Sequence, residues 1–287
     1  MKISNEITGP STLVGAEKAV EYCALAGFDA WDFPLDHICS HYCDVKKGVE
    51  SALPLNGDAY VKMARKLRQI GEDNGIVCHQ THAPTRWNCP HFLDCMKRTL
   101  EITAEAGAKI CVTHPCDKNT VEQNTEMYLK LLPYAKEYGV KIALENVWTW
   151  DFAGNKFANS PFSEPIGMKK HMDILSHEQF IVCLDTGHAE IGDLNTSAVE
   201  IVKAMGGRVQ ALHLQDTDRR QDNHEIPFTM DIPFEPIVRA LKENGYEGYF
   251  SLEAFRPFEN RDAADTLDIM KKQNAAARQL ADMFENI

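Results

Sequence analysis

Four separate stretches of the chain end an apolar run in a side chain able to bind a cation. KIALENV, residues 141–147, offers Glu145; IVCLDTGH offers Asp185; VQALHLQD offers His213; YFSLEAF offers Glu253. Side chains alternate along an extended strand, so Ala143, Glu145 and Val147 share one side and Leu144 and Asn146 the other. A carboxylate at the end of a buried strand is costly unless something compensates its charge. Three carboxylates and an imidazole brought within a few ångströms would repel one another and shift their pKa values strongly. A divalent cation removes that repulsion and holds every ligand deprotonated. Mixed oxygen and nitrogen donors suit Mn2+, Mg2+, Co2+ or Zn2+ alike, so a divalent metal ion is the expected cofactor.

Strand ends so distant in sequence meet only if a regular scaffold carries them. Strands are expected over Lys2–Ile7, Phe28–Phe33, Ile76–Thr81 and Lys109–Thr113, then at Glu145, Phe180–Asp185, Arg208–Leu214 and Tyr249–Ala254. Helices are expected near Ser11–Ala26, Asp58–Asn74, Pro90–Ala106, Val121–Tyr138, Thr196–Met205 and Phe234–Asn244, with a last one from Asp262. Gly75, Gly107 and Gly139 recur at an interval of 32 residues, about one β-α unit, each placed to close a helix. Eight strand-helix alternations predict parallel strands and an α/β fold, a (β/α)8 TIM barrel forming a single domain over residues 1–287. Active sites of such barrels lie beyond the C-terminal strand ends. The two longest connections, Pro34–Gly57 and Asn146–Lys170, follow strands and so fall on that face. The second is rich in aromatics (Trp148, Trp150, Phe152, Phe157, Phe162), which suits a loop folding over a small ligand.

Composition narrows the partners. Of the 287 residues 44% are hydrophobic and 25% charged, as in ordinary globular proteins. A net charge of −12 without a basic run argues against nucleic acid, whose binding draws on Lys and Arg. No apolar segment follows Lys2, and no run approaches the roughly 18 apolar residues of a membrane span, so neither a signal peptide nor a membrane partner is expected. Nine cysteines at irregular spacing fit reduced thiols and a cytoplasmic setting. His37, Cys39, His41 and Cys43 alternate without the paired spacing of a structural zinc site, and read as a solvated loop.

The motifs ALEN, CLDTGH, LHLQD and GYEGYFSLE, in this order, resemble the sugar isomerase and epimerase family with the xylose-isomerase-like barrel, over nearly the whole chain. The resemblance implies one divalent ion between Glu145, Asp185, His213 and Glu253. Within the branch similar to ketose 3-epimerases it also implies three substrate contacts. They are an acidic residue six after the first Glu, a His three after the Asp, and an Arg six after the His. Asp151, His188 and Arg219 occupy those offsets, Asp151 being shorter than the Glu the resemblance leads one to expect. His82 and His114 end strands three and four and read as substrate contacts or as ordinary hydrogen-bonding groups of the barrel mouth. His224, in Asp222-Asn-His224 after strand seven, is a further substrate-binding candidate. Trp31 and Trp87 read as walls of a sugar pocket or as core.

The implied chemistry follows from the two glutamates. A cation on a ketose carbonyl and its neighbouring hydroxyl would acidify the C–H between them and stabilise an enediolate. Glu145 and Glu253 would serve as catalytic base and acid on the two faces of that carbon, giving epimerisation, or isomerisation if the proton returns to the adjacent carbon. A polyol dehydratase of the same barrel is the near alternative, and a non-catalytic sugar-binding barrel the alternative outside enzymes. The related apurinic-endonuclease family has a three-metal cluster. Its ligands correspond loosely to His82, His114, Glu145, Asp185, His188, His213, Asp222, His224 and Glu253. The acidic balance and the compressed segment between His213 and Asp222 weigh against it. The expected partner is a small sugar. Arg219, Arg220 and Arg256 leave room for a phosphate, but no Gly-rich cradle accompanies them. Homo-oligomers, dimers or tetramers, are common among the look-alikes.

Overall fold

Each apolar strand of this chain returns to its sheet through a helix, which permits only parallel pairing of neighbours. The computed structural model describes residues 1–35, 59–84 and 92–287. Its strands are β1 (Ile3–Glu6), β2 (Ala30–Pro34), β3 (Val77–His82), β4 (Ile110–Thr113), β5 (Lys141–Glu145), β6 (Thr149–Asp151), β7 (Lys156–Ala158), β8 (Phe180–Asp185), β9 (Val209–His213) and β10 (Phe250–Leu252). Strands β6 and β7 pair antiparallel as a separate hairpin, and the other eight lie in the order β10-β1-β2-β3-β4-β5-β8-β9. The remaining gap between β9 and β10 is closed just beyond the strands, where Leu214 N donates to Ser251 O (2.8 Å) and Glu253 N to Leu214 O (3.1 Å). The expected (β/α)8 barrel is therefore present.

The helices are α1 (Thr8–Val14), α2 (Ala16–Ala26), α3 (Ala59–Asp73), α4 (Phe92–Glu105), α5 (Val121–Leu129), α6 (Leu132–Tyr138), α7 (Pro165–Ile174), α8 (Thr186–Glu190), α9 (Ala198–Met205), α10 (Phe234–Glu243) and α11 (Thr266–Asn286). Their docking follows the helical period. In α10, Phe234, Ile237, Val238 and Leu241 are buried, spaced i, i+3, i+4, i+7. Three elements depart from the expected bounds for local reasons. The first helix divides at Gly15, whose φ of +80° interrupts the helical path. The expected Val121–Tyr138 helix breaks before Pro133, which lacks a hydrogen-bonding N–H and opens the new helix α6. The last helix starts at Thr266, after a 3-10 turn over Ala263–Asp265. The 146–170 connection is also more structured than an open loop, holding the β6–β7 hairpin and the start of α7.

Between strands and helices runs one large apolar layer. Trp31 is fully buried in it, so this residue is core and not a pocket wall. Inside the ring sits a smaller cluster of Val112, Ala143, Ile181, Cys183 and Ala211. Two residues further along the same strands, on the same face, come His114, Glu145, Asp185 and His213. On these four strands small apolar side chains thus line the barrel below the ionisable ones at its C-terminal mouth, while on β1, β2, β3 and β10 the buried Ser4, Asp32, Gln80 and Ser251 are joined by hydrogen bonds. The six described cysteines are buried and free, and among the described residues no helix is long and apolar enough to cross a membrane. His37, Cys39, His41, Cys43, Trp87 and most of the 34–57 connection lie outside the described residues.

Gly71 of α3 faces Trp31 at close range. A Cβ there would stand 2.8 Å from Trp31 Nε1 and 3.1 Å from Ile76 O. Gly71→Ala gains about 1 kcal/mol in helix propensity but loses about 1–3 kcal/mol to overpacking against a ring with nowhere to go. Urea unfolding should show a net loss of up to about 2 kcal/mol; a midpoint above the wild type would contradict this packing.

Candidate metal centre

Glu145 is the last residue of β5 and is fully buried. Four imidazoles surround its carboxylate. His114 Nε2 lies 3.0 Å and His82 Nε2 3.3 Å from Oε2, His213 Nδ1 3.1 Å from Oε2, and His188 Nδ1 3.4 Å from Oε1. His213 Nδ1 also lies 3.5 Å from Glu253 Oε2. Donor atoms of Glu145, Asp185, His213 and Glu253 all fall within 4.8 Å of one another. The four residues sequence spacing singled out do meet at the barrel mouth.

Local backbone structure holds each of them. Asp185 ends β8 and caps α8, accepting from His188 N at 2.6 Å. Where β5 runs out, Asn146 replaces the ladder: its Nδ2 donates to Asp185 O (2.9 Å) and its Oδ1 accepts from Asp185 N (2.8 Å). His188 Nδ1 lies 2.9 Å from Asn146 O, and its Nε2 3.0 Å from Asp222 Oδ2. His224 Nδ1 lies 2.9 Å from Glu253 O, and its Nε2 3.3 Å from Asp222 Oδ1. His82 Nδ1 similarly lies 2.9 Å from Ala83 O. In each of these three rings Nδ1 faces a backbone carbonyl, so Nε2 is the atom turned into the mouth. Trp148, from the aromatic connection, donates Nε1–H to Asp222 Oδ2 at 3.2 Å.

His82, His114, His188 and His224 thus join the four, while Asp151 and Arg219 stand at other partners. Asp151, in β6, accepts from Ala153 N at 3.0 Å within its own hairpin turn. Arg219 adopts a left-handed φ of +61° and turns its guanidinium to Glu190, at 3.3 Å from the carbonyl O and 3.4 Å from Oε2. Two contributors escaped sequence reasoning, Asn146 and Gln215. Gln215 follows His213 by two positions, so the strand alternation that selected His213 also selects it; its neutral amide drew no notice.

The set fits a divalent cation. Glu145 Oε1 and His213 Nδ1 are buried without a hydrogen-bond partner, leaving lone pairs unspent inside a ring of hard donors. Electrostatics separate the carboxyls. Burial alone would raise Glu145, but the charges of His213 and His114 and the hydrogen bond from His114 hold it well below the usual carboxylate range. Glu253 is pushed well above it by burial and by the charges of Glu145, Glu6 and Asp185. Burial and Glu145 raise Asp185 as well, against the opposing pull of His188. Burial would lower His188, but Asp185 and Asp222 raise it well above the ordinary histidine value. A carboxyl raised in the cation-free chain must lose its proton to become a ligand, so binding releases protons and tightens as pH rises. Titrating Mn2+ calorimetrically at neutral pH, in two buffers of different ionisation enthalpy, should reveal net proton release; a buffer-independent heat would contradict the raised carboxyls.

The comparisons agree with this architecture. A family model described as the xylose isomerase-like TIM barrel matches residues 20–273. The uncharacterized protein MJ1311 of Methanocaldococcus jannaschii is 22% identical over 94% of this chain and 87% of its own. A solved structure of a D-tagatose 3-epimerase-like protein superposes with a TM-score of 0.68 at 20% identity, covering 97% of this chain and 99% of that one. The IOLI protein with a bound zinc atom gives 0.70 at 18% identity, over 96% and 98%. At those identities the superpositions speak for the fold. With nearly all of its strands and its mouth inside the matched span, the chain belongs to the xylose isomerase-like TIM barrel family.

Proposed function

We propose that this chain is a sugar isomerase or epimerase that depends on one divalent cation, held by Glu145, Asp185, His213 and Glu253. The observation that carries the reading is the convergence of these four donors at the barrel mouth. The bound cation supplies Lewis acidity, which makes a C–H beside a sugar carbonyl removable at neutral pH. Glu145 and Glu253 are the two groups suited to exchange that proton, one on each face of the carbon. The two reach the mouth from β5 and β10, which β8 and β9 separate on one side of the ring, so they address a substrate carbon from different directions. Return to the same carbon on its other face inverts it, and return to the neighbouring carbon isomerises the sugar.

His82, His114, His188 and His224 line the mouth and are assigned to sugar hydroxyls. Asp151 and Arg219 are assigned to the outer end of the substrate, each reaching it by leaving its present partner. The likeness to a D-tagatose 3-epimerase-like protein favours the epimerase arm, and the zinc in the IOLI protein favours a cation here. The buried free cysteines favour a cytoplasmic setting.

A second reading has its own observation. Beside the four-residue group stand further sets of close donors, among them His82–His114–Glu145 and His188–Asp222–His224. Three adjacent sets would suit a polynuclear phosphodiesterase of the apurinic-endonuclease kind. Its substrate is polyanionic, and the chain's net charge of −12 opposes it.

Deuterium wash-in across a panel of ketoses, with metal analysis, tests the proposal. Exchange at C3 supports epimerisation and exchange at C1 isomerisation. Loss of water from a cyclic polyol would move the assignment to a dehydratase, and ketose binding without any exchange would make the barrel non-catalytic. Glu253→Gln should lower turnover by at least about 10²–10⁴-fold while far-UV circular dichroism stays unchanged. Near-wild-type turnover in that variant removes Glu253 from the chemistry.

A further inference from the structure

Gln215 is fully buried between the proposed cation site and the neighbouring His188–Asp222–His224 set. Its backbone is pinned by Thr186, whose hydroxyl accepts from Gln215 N (3.0 Å) and donates to Gln215 O (2.8 Å). The orientation of its amide follows from an unambiguous donor: His224 N–H gives to Oε1 at 2.8 Å, so Nε2 is the atom on the other side. That nitrogen stands 3.3 Å from both carboxylate oxygens of Asp185, 2.9 Å from Asp222 Oδ1 and 3.3 Å from His224 Nε2. An amide NH2 has two hydrogens and no lone pair to give a cation. Its hydrogens therefore point at the lone pairs that a cation in the His188–Asp222–His224 set would need.

The surrounding chain is shaped to keep it there. Gly187, in the first turn of α8, packs directly on this amide. A Cβ at that position would overlap Gln215 Cδ and stand 2.6 Å from Nε2. The absence of a side chain at 187 is what lets the amide lie between the two carboxylates.

We propose that Gln215 is a positioning residue that sets the cation count of the mouth: its amide takes the place of a second cation between Asp185 and Asp222 and reserves the His188–Asp222–His224 set for substrate. The inference rests on the one-cation reading above, and the test separates the two. The purified full chain is stripped of metal and titrated with Co2+, followed by visible absorption and by counting bound cobalt per chain. Wild-type protein should saturate at one Co2+. Gln215→Glu, which exchanges the donor for an acceptor, should take up a second equivalent with its own d–d bands. Gln215→Ala should tighten binding at that second position by about tenfold, the scale on which outer hydrogen bonds tune metal sites.

Gly187→Ala should act in the same direction by displacing the amide, without altering any ligand, and should add nothing in a Gln215→Ala background. It also keeps the test open if Gln215→Glu fails to fold. A purely structural role for Gln215 would lower melting temperatures but leave every variant at one cobalt, and that outcome overturns the inference while sparing the one-cation reading. Two or more Co2+ bound by the wild type would overturn the one-cation reading itself, and this inference with it.

Discussion

A carboxylate with no solvent exposure, at the end of a buried strand, is the constraint on which this molecule turns. Glu145 cannot be hydrated, so its charge must be met by protein or by a bound ion. Imidazoles from β3, β4, α8 and β9 crowd around it, each contributed by a different part of the ring. Their arrangement is orderly: three of the mouth histidines give Nδ1 to backbone carbonyls, which fixes ring orientation before any ligand arrives. A closed barrel is well suited to impose this, because each strand end is held by two neighbours and cannot drift from the common axis.

The same geometry divides labour by depth. On β4, β5, β8 and β9 a layer of small apolar residues packs the inside of the ring, and the next residues on that face are the ionisable ones. A one-residue slip in any of those strands would turn a ligand into the helix layer, so pairing register and site chemistry are set together. Separate elements then build the rim. The β6–β7 hairpin follows Trp148, which anchors to Asp222, while α8, capped by Asp185, carries His188 back toward Glu145.

Much of this was legible in the sequence, because two periodicities speak plainly there. The 32-residue spacing of Gly75, Gly107 and Gly139 marks the β-α unit, and all three glycines take positive φ in the structure. The repeated pattern of an apolar run ending in a potential ligand singled out Glu145, Asp185, His213 and Glu253. What stayed hidden depends on local competition and on neutral groups. Pro133 and Gly15 break helices whose amphipathic pattern runs on regardless. Gln215 and Asn146 act through amide hydrogen bonds, which leave no charge pattern to read. The offsets that singled out Asp151 and Arg219 count residues but do not say which partners compete for the side chains, here Ala153 N and Glu190.

The central claim concerns where a cation sits, and anomalous scattering addresses it directly. Crystals grown with Mn2+ and measured at its absorption edge should show a single peak enclosed by Glu145, Asp185, His213 and Glu253. Density only at another set of side chains, or none at the barrel mouth, would contradict the account.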